Sequence, residues 1–214
     1  MPIPLFNEER HEYTTPEGIK LPGTTTILGE YHLVKWGRSV FYVDANGNAI
    51  AADVMDRASE YGSAAHKILE LTVLHGAGLF DYPSSVENAV RQINAFVTDY
   101  QPIVVMCEQP LYSAKHHYAG TGDLFFRSHK IKNGKRLCLL DAKTGPGLYT
   151  GPQTAAYEDL FREETGEKGL IDRFKLALPK DGKPYKMIPL TDPRDIVYFR
   201  NRLFCYQYEK SLKN

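Results

Sequence analysis

Residues 118–157 read YAGTGDLFFRSHKIKNGKRLCLLDAKTGPGLYTGPQTAAY. Ala119 to Arg127 and Arg136 to Lys143 are strand-like runs joined through Lys132-Asn133-Gly134-Lys135, and the Asn-Gly pair is the strongest short-range hairpin signal in the chain. Pro152 then starts a helix with Gln153 and Tyr157 on one face and Leu160 and Phe161 further along. On a strand, Asp141 and Lys143 point to the same face and Ala142 points away. Asp123, on the partner strand, can reach the same edge. The run Leu137-Cys138-Leu139-Leu140 means that Asp141 emerges from a buried strand, where an idle carboxylate is costly.

Two carboxylates completed by waters and phosphate oxygens match the way Mg²⁺ prefers to be held. A metal there would polarise a scissile phosphate and lower the pKa of a bound water, with Lys143 orienting that water or stabilising developing negative charge. Asp-X-Lys alone is a common pattern, and the weight comes from Gly122-Asp123 upstream and Gln153-X-X-X-Tyr157 downstream.

Working outward, His11 to Pro22 reads as a small hairpin, with Thr15-Pro16-Glu17-Gly18 as its turn. Thr24, Thr25 and Thr26 follow Gly23 and can cap a short helix through Ile27 and Leu28, an end that could hold a phosphate. Leu33 to Val43 is amphipathic at best, with Trp36 expected in a core, and Asn46-Gly47-Asn48 breaks the chain. A helix is expected from Ile50 to Tyr61, interrupted by Gly62, and another from Ser63 to Leu74. There Ala64, Ala65, Ile68, Leu71 and Leu74 form the apolar face, and His66 and Glu70 an i,i+4 pair. Small residues at 62–65 permit close approach to His66.

Ser84-Ser85-Val86-Glu87 fits a capping box for a helix carrying Val86, Ala89, Val90, Ile93, Phe96, Val97 and Tyr100. Pro102 ends it, and Ile103 to Met106 is a short buried-strand candidate leading to Glu108. Leu170 to Leu178 and Tyr185 to Leu190 form another hairpin, and Asp192-Pro193 opens a terminal helix. This order predicts one α/β (α+β) domain over residues 1–214, with a mixed central β-sheet flanked by helices. Residues 1–78 form its hairpin and helical N-terminal extension carrying His66, and 79–214 the sheet and helices of the site.

Lys plus Arg equals Asp plus Glu at 26 each, so no global field draws the chain onto a polyanion, and contacts must be local or through metal ions. Arg57 and Lys115 are candidates for phosphate contact, beside Lys67, Arg127, Lys130, Lys132 and Lys135. Cys107, Cys138 and Cys205 lie far apart, two of them in apolar runs, and read as free thiols. No apolar run reaches membrane-spanning length, and the N-terminus resembles neither a signal nor a transit peptide, which leads to the expectation of a cytoplasmic protein.

Taken in order, Leu21-Pro22-Gly23-Thr24-Thr25-Thr26-Ile27-Leu28, Gly62-Ser63-Ala64-Ala65-His66, Glu108, Gly120-Thr121-Gly122-Asp123, Asp141-Ala142-Lys143-Thr144-Gly145 and Gln153-Thr154-Ala155-Ala156-Tyr157 resemble the PD-(D/E)XK nucleases. Within them the RecB-like exonuclease branch is the nearest pattern, and the N-terminal element is similar to that of phage and mitochondrial genome maintenance exonucleases. The resemblance implies a restriction-endonuclease-like core and a metal-dependent DNA exonuclease of phage or bacterial recombination, repair or replication. His66, Asp123, Asp141 and the Ala142 carbonyl would bind Mg²⁺ or Mn²⁺, and Lys143 would assist the attacking water. Gln153 and Tyr157 would orient the substrate or Lys143, and Glu108 would be an outer or second-metal group. DNA, as single strands or duplex ends, is the implied partner, with a recombination or single-strand-binding protein beside it and a monomer expected. Asp141 stands where Glu is commoner, which the family allows, and three cysteines cannot make the cysteine quartet of iron–sulfur members. A DNA endonuclease shares all this chemistry, and a non-catalytic DNA-end-binding module shares the fold. Lys143-Thr144-Gly145 also matches one element of the serine β-lactamase set, but no S-x-x-K or S-D-N accompanies it.

Overall fold

A computed structural model describes residues 5–7, 12–29, 31–36, 39–44, 49–76, 78 and 80–212. The N-terminal part begins with strands β1 (Leu5–Asn7), β2 (Glu12–Thr14) and β3 (Lys20–Leu21), an antiparallel sheet in that order. The expected hairpin is therefore present from Glu12 on, with Gly18 at φ 88 in its turn, while His11 lies outside the described residues. Helix α1 (Thr24–Leu28) follows, and Gly29 ends it in the left-handed region.

A second antiparallel sheet, β4 (Tyr31–Trp36), β5 (Ser39–Asp44) and β6 (Ala49–Ala51), occupies the stretch read as amphipathic at best. The N-terminal extension is thus only partly helical. The Trp36 side chain and residues 45–48 lie outside what is described. Helix α2 (Ala52–His75) runs unbroken through Gly62. One glycine costs about 1 kcal/mol of helix stability, and burial of Ala65, Ile68, Leu69 and Thr72 on one face outweighs it. Leu74, assigned to that face from the sequence, is 47% exposed.

Helix α3 (Glu87–Tyr100) buries Ala89, Gln92, Ile93 and Phe96 at helical spacing. The capping box does not form: Ser84–Val86 makes a 3-10 turn, and Val86 precedes the helix without a side-chain cap. Beyond Pro102 come β7 (Ile103–Ser113), β8 (Tyr118–Arg127), β9 (Leu137–Lys143), α4 (Thr150–Thr165), β10 (Ile171–Ala177), β11 (Lys186–Pro189) and α5 (Arg194–Ser211). Helix α4 starts two residues before the Pro152 expected to open it, since proline fits anywhere in a first turn.

Strands β7 to β11 form one mixed sheet ordered β11-β10-β9-β8-β7, parallel between β9 and β10 and antiparallel elsewhere. Strand β9 has neighbours on both sides and helices on both faces, which is why it reads as a continuous apolar run. One face, with Leu124, Phe126, Cys138, Leu140 and Ala142, packs against α2 and α3. The other, with Phe125, Leu137 and Leu139, packs against α1, α4 and α5. Strand β7 lies at the sheet edge, so Ile103 and Val105 are about half exposed rather than buried, and its register slips between Val104 and Met106. Arg173 on β10 bonds the Gly151 carbonyl at 2.8 Å and Asp195 at 3.1 Å, pinning the starts of α4 and α5 to the sheet.

No helix among the described residues is long and apolar enough to cross a membrane. A Cβ added at Gly62 meets its nearest neighbour, Thr144 Oγ1, at an ordinary 3.7 Å. Gly62→Ala is therefore expected to stabilise the protein by about 0.5–1 kcal/mol, read as a raised urea midpoint. A lowered midpoint would contradict the continuous helix.

Candidate metal centre

The β8–β9 ladder runs from Phe126↔Cys138 to Leu124↔Leu140 and stops there. One residue further, Asp123 and Asp141 would stand opposite each other as two buried carboxylates. Asp123 is instead turned so that its Oδ2 accepts the Ala142 amide at 2.6 Å. The same oxygen lies 3.1 Å from His66 Nδ1, on the middle of α2. Glu108 approaches from β7, its Oε1 3.7 Å from that nitrogen. His66, Glu108 and Asp123 each offer a ligand atom, all within 4.8 Å of one another.

Glu108 lies between Cys107, paired with Leu124, and Gln109, paired with Gly122, and its backbone is left-handed at φ 47. A non-glycine residue there is strained. Asp141, fully buried, meets Lys143 Nζ at 2.7 Å. Its Oδ1 and Glu108 Oε1 are buried without a hydrogen-bond partner among the described residues.

The charges at the centre are unevenly compensated. Burial acts to lower the His66 pKa, but the charge and hydrogen bond of Asp123, helped by the nearby Glu108 carboxylate, outweigh it and raise it to about 10. Burial acts to raise Asp123, yet His66, then Lys143 and the Ala142 amide, hold it below the usual carboxylate range. Burial lifts Glu108 against the pull of the neighbouring His66, and the Asp123 charge lifts it further. Asp141 is lifted by burial and by Asp123, with Lys143 opposing. Three carboxylates thus face one imidazolium and one ammonium, and two of them are pushed toward their neutral forms. A divalent cation would relieve that imbalance, and the oxygen and imidazole donors suit Mg²⁺ or Mn²⁺.

The structure brings together only part of the ligand set expected from the sequence. His66 and Asp123 meet, and Glu108, read as an outer group, joins them directly. Asp141 is turned to Lys143 and is not part of the three-residue cluster. Ala142 touches Asp123 through its amide rather than its carbonyl. His66 does not pair with Glu70, which takes Lys67 at 2.6 Å.

Gln153 and Tyr157 are buried, and the Gln153 amide donates to the Tyr157 hydroxyl at 2.7 Å. Burial, followed by the charge of Asp141, raises the Tyr157 pKa well above normal, so the hydroxyl stays neutral. A Cβ at Gly120 would stand 2.6 Å from both the Tyr157 ring and Thr24 Oγ1, so only glycine lets α1 and α4 close on β8 there.

Two neighbours were missed. Tyr13 on β2 hydrogen-bonds Thr121 Oγ1 at 3.0 Å, and its pKa, raised chiefly by burial, is raised further by Glu108 and Asp123. Alternation along β8 places Thr121 on the Asp123 face, a signal available in the sequence. Nothing local marks Tyr13.

The candidate phosphate contacts fare less well. Thr24 is buried and its hydroxyl donates to the Ala119 carbonyl at 3.0 Å, which makes it structural, whereas Thr25 and Thr26 are exposed. Arg57 pairs with Asp53 at 3.0 Å, nine residues before His66 on α2. Lys115 sits at the exposed β7–β8 tip, beyond the Ser113 end of β7, which itself lies five residues, about 17 Å at ~3.3 Å per residue, from Glu108. Cys107 is half-buried, Cys138 buried and Cys205 exposed, and burial lifts the first two thiols to about 12.

No model of a known protein family matches the chain, and no curated protein matches it.

Mn²⁺ at a hundred times its dissociation constant is expected to stabilise the wild-type fold by about 2.7 kcal/mol, seen as a raised melting temperature. His66→Ala and Glu108→Gln should each shrink that gain. An undiminished Mn²⁺ shift in both variants would remove these side chains from the ligand set.

Proposed function

We propose that this chain is a metal-dependent deoxyribonuclease, an exonuclease acting on DNA ends, built on a restriction-endonuclease-like core. The observation that carries the reading is the meeting of His66, Glu108 and Asp123 beside the Asp141–Lys143 pair, where the β8–β9 ladder ends. Mg²⁺ or Mn²⁺ bound there would supply Lewis acidity toward a phosphodiester and an acidified water.

The side chains divide that work. His66, Glu108 and Asp123 would hold the ion, and Asp141 stands close enough to feel the charge of Asp123. Asp141 also fixes the Lys143 ammonium, only 19% exposed, so that a positive charge waits where the phosphate oxygens gain negative charge. Fixing it beforehand avoids reorganisation during the reaction. Gln153 and Tyr157 form a neutral, hydrogen-bonded wall on the α4 side. A purely DNA-binding module would have no use for a lysine held against a buried aspartate.

Labelled linear single-stranded, linear duplex and circular DNA, each with Mg²⁺ or Mn²⁺, test this directly. Linear substrates are expected to be degraded and circles spared. Lys143→Ala and Asp141→Asn should each cost on the order of 10²–10³-fold in rate while the protein remains folded by circular dichroism. Cutting of circles would make it an endonuclease, and no hydrolysis with either ion would leave only the binding module.

A further inference from the structure

A cavity of about 800 Å³ lies between the N-terminal hairpin, the β7–β8 tip and the C-terminal end of α5. Its walls include Tyr13, Lys20, His117, Tyr206, Gln207 and Lys210. They are held in place from several sides. Gln207 donates to the His116 carbonyl at 2.8 Å, Arg202 reaches the Leu28 carbonyl at 3.4 Å, and the Ala119 amide bonds the Pro22 carbonyl at 3.0 Å.

The lining brings together two rings, Tyr13 and Tyr206, two lysines, Lys20 and Lys210, and the carboxylate of Glu12. Lys20 is offset by Glu12 at 2.9 Å. Lys210 meets no carboxylate among the described residues, its ammonium standing 5.5 Å from the Tyr206 ring centroid. The half-buried Tyr206 ring beside an ammonium with no carboxylate partner offers a base a stacking edge and its phosphate a counter-charge. Neither an apolar ligand nor a neutral peptide would use both.

Position supplies the second argument. Tyr13 is a wall of this cavity, and its hydroxyl reaches Thr121, two residues from Asp123 on β8. From His117 at the far wall to Asp123 the chain advances six residues of extended strand, about 20 Å. A stacked strand rising ~3.4 Å per nucleotide covers that in about six nucleotides.

We infer that this cavity is a polynucleotide subsite, which holds the single strand several nucleotides away from the scissile phosphate. The inference rests on the nuclease reading for the identity of the strand, but the binding it asserts needs neither metal nor turnover. The strand enters beside Lys210 and Tyr206, passes Tyr13, and reaches the His66–Glu108–Asp123 centre. The subsite therefore reads backbone and base faces rather than sequence.

The test is fluorescence anisotropy of a labelled 12-nucleotide oligo(dT) on the full chain in EDTA, over a range of salt concentrations. Lys210→Glu is expected to weaken binding ~10-fold and to flatten the dependence of log K on log salt by about one unit. Tyr206→Leu, which keeps apolar volume but removes the stacking face, should weaken it without changing that slope. Lys186→Glu, the same charge change on the exposed strand β11, should bind as wild type does. Wild-type affinity in Lys210→Glu, an equal loss in Lys186→Glu, or no measurable binding by the wild type would each overturn the subsite. Binding in EDTA without hydrolysis in Mg²⁺ or Mn²⁺ would instead overturn the nuclease and leave the subsite standing.

Discussion

The Asp123 carboxylate joins three elements that would otherwise have no common point. It closes the β8–β9 ladder by accepting the Ala142 amide, it holds His66 from α2, and it faces Glu108 from β7. A buried carboxylate survives only when its lone pairs are met by donors and its charge by a cation, and Asp123 has both. Its compensation leaves its neighbours short. Glu108 and Asp141 share the same low-dielectric space, and both are driven toward protonation. The centre is thus stable at one carboxylate and under-compensated at two, an arrangement that favours an added cation.

Most of the fold supports that joint. Helix α2 must be long to bury one face against the sheet and still place His66 at the strand ends, and it continues through a glycine to do so. Gly120 gives α1 and α4 the clearance to close on β8. Arg173 anchors the start of α4, which aligns the Gln153–Tyr157 pair over the Asp141 side of the sheet. Each of these contacts is remote from the centre, and each sets where one of its walls stands.

The parts legible from sequence were those whose signals are local. The β8–β9 and β10–β11 hairpins, α3, α4 and α5 followed from turn residues and periodicity, and the shared face of Asp141 and Lys143 followed from the two-residue repeat of a strand. Where tertiary packing decides, the local reading failed. Gly62 looked like a break because propensity disfavours it, yet burial along α2 overrides about 1 kcal/mol. His66 and Glu70 have ideal helical spacing, but His66 has two carboxylates from other strands to meet, and Glu70 turns to Lys67. Among the described residues the strands β4 to β6 pair with each other rather than with the central sheet, and their apolar pattern was read as amphipathic rather than alternating.

Glu108 shows most clearly why a ligand set cannot be read from spacing alone. Its surroundings in sequence, Cys107-Glu108-Gln109-Pro110, resemble any charged strand segment. Regular extended backbone would keep it in the alternation of β7, with its flanking residues in register against β8. A left-handed φ of 47 at this one position re-aims the side chain while Cys107 and Gln109 keep their partners Leu124 and Gly122. Such a conformation costs on the order of 1–3 kcal/mol and persists only where its neighbours over-determine it. Here the ladder on both sides does so, and the strain is spent bringing a second carboxylate, beside Asp123, to His66. Asp141, unstrained on β9, remains free of that cluster to hold Lys143. Backbone geometry at a single edge-strand residue therefore separates the His66–Glu108–Asp123 cluster from the Asp141–Lys143 pair beside it.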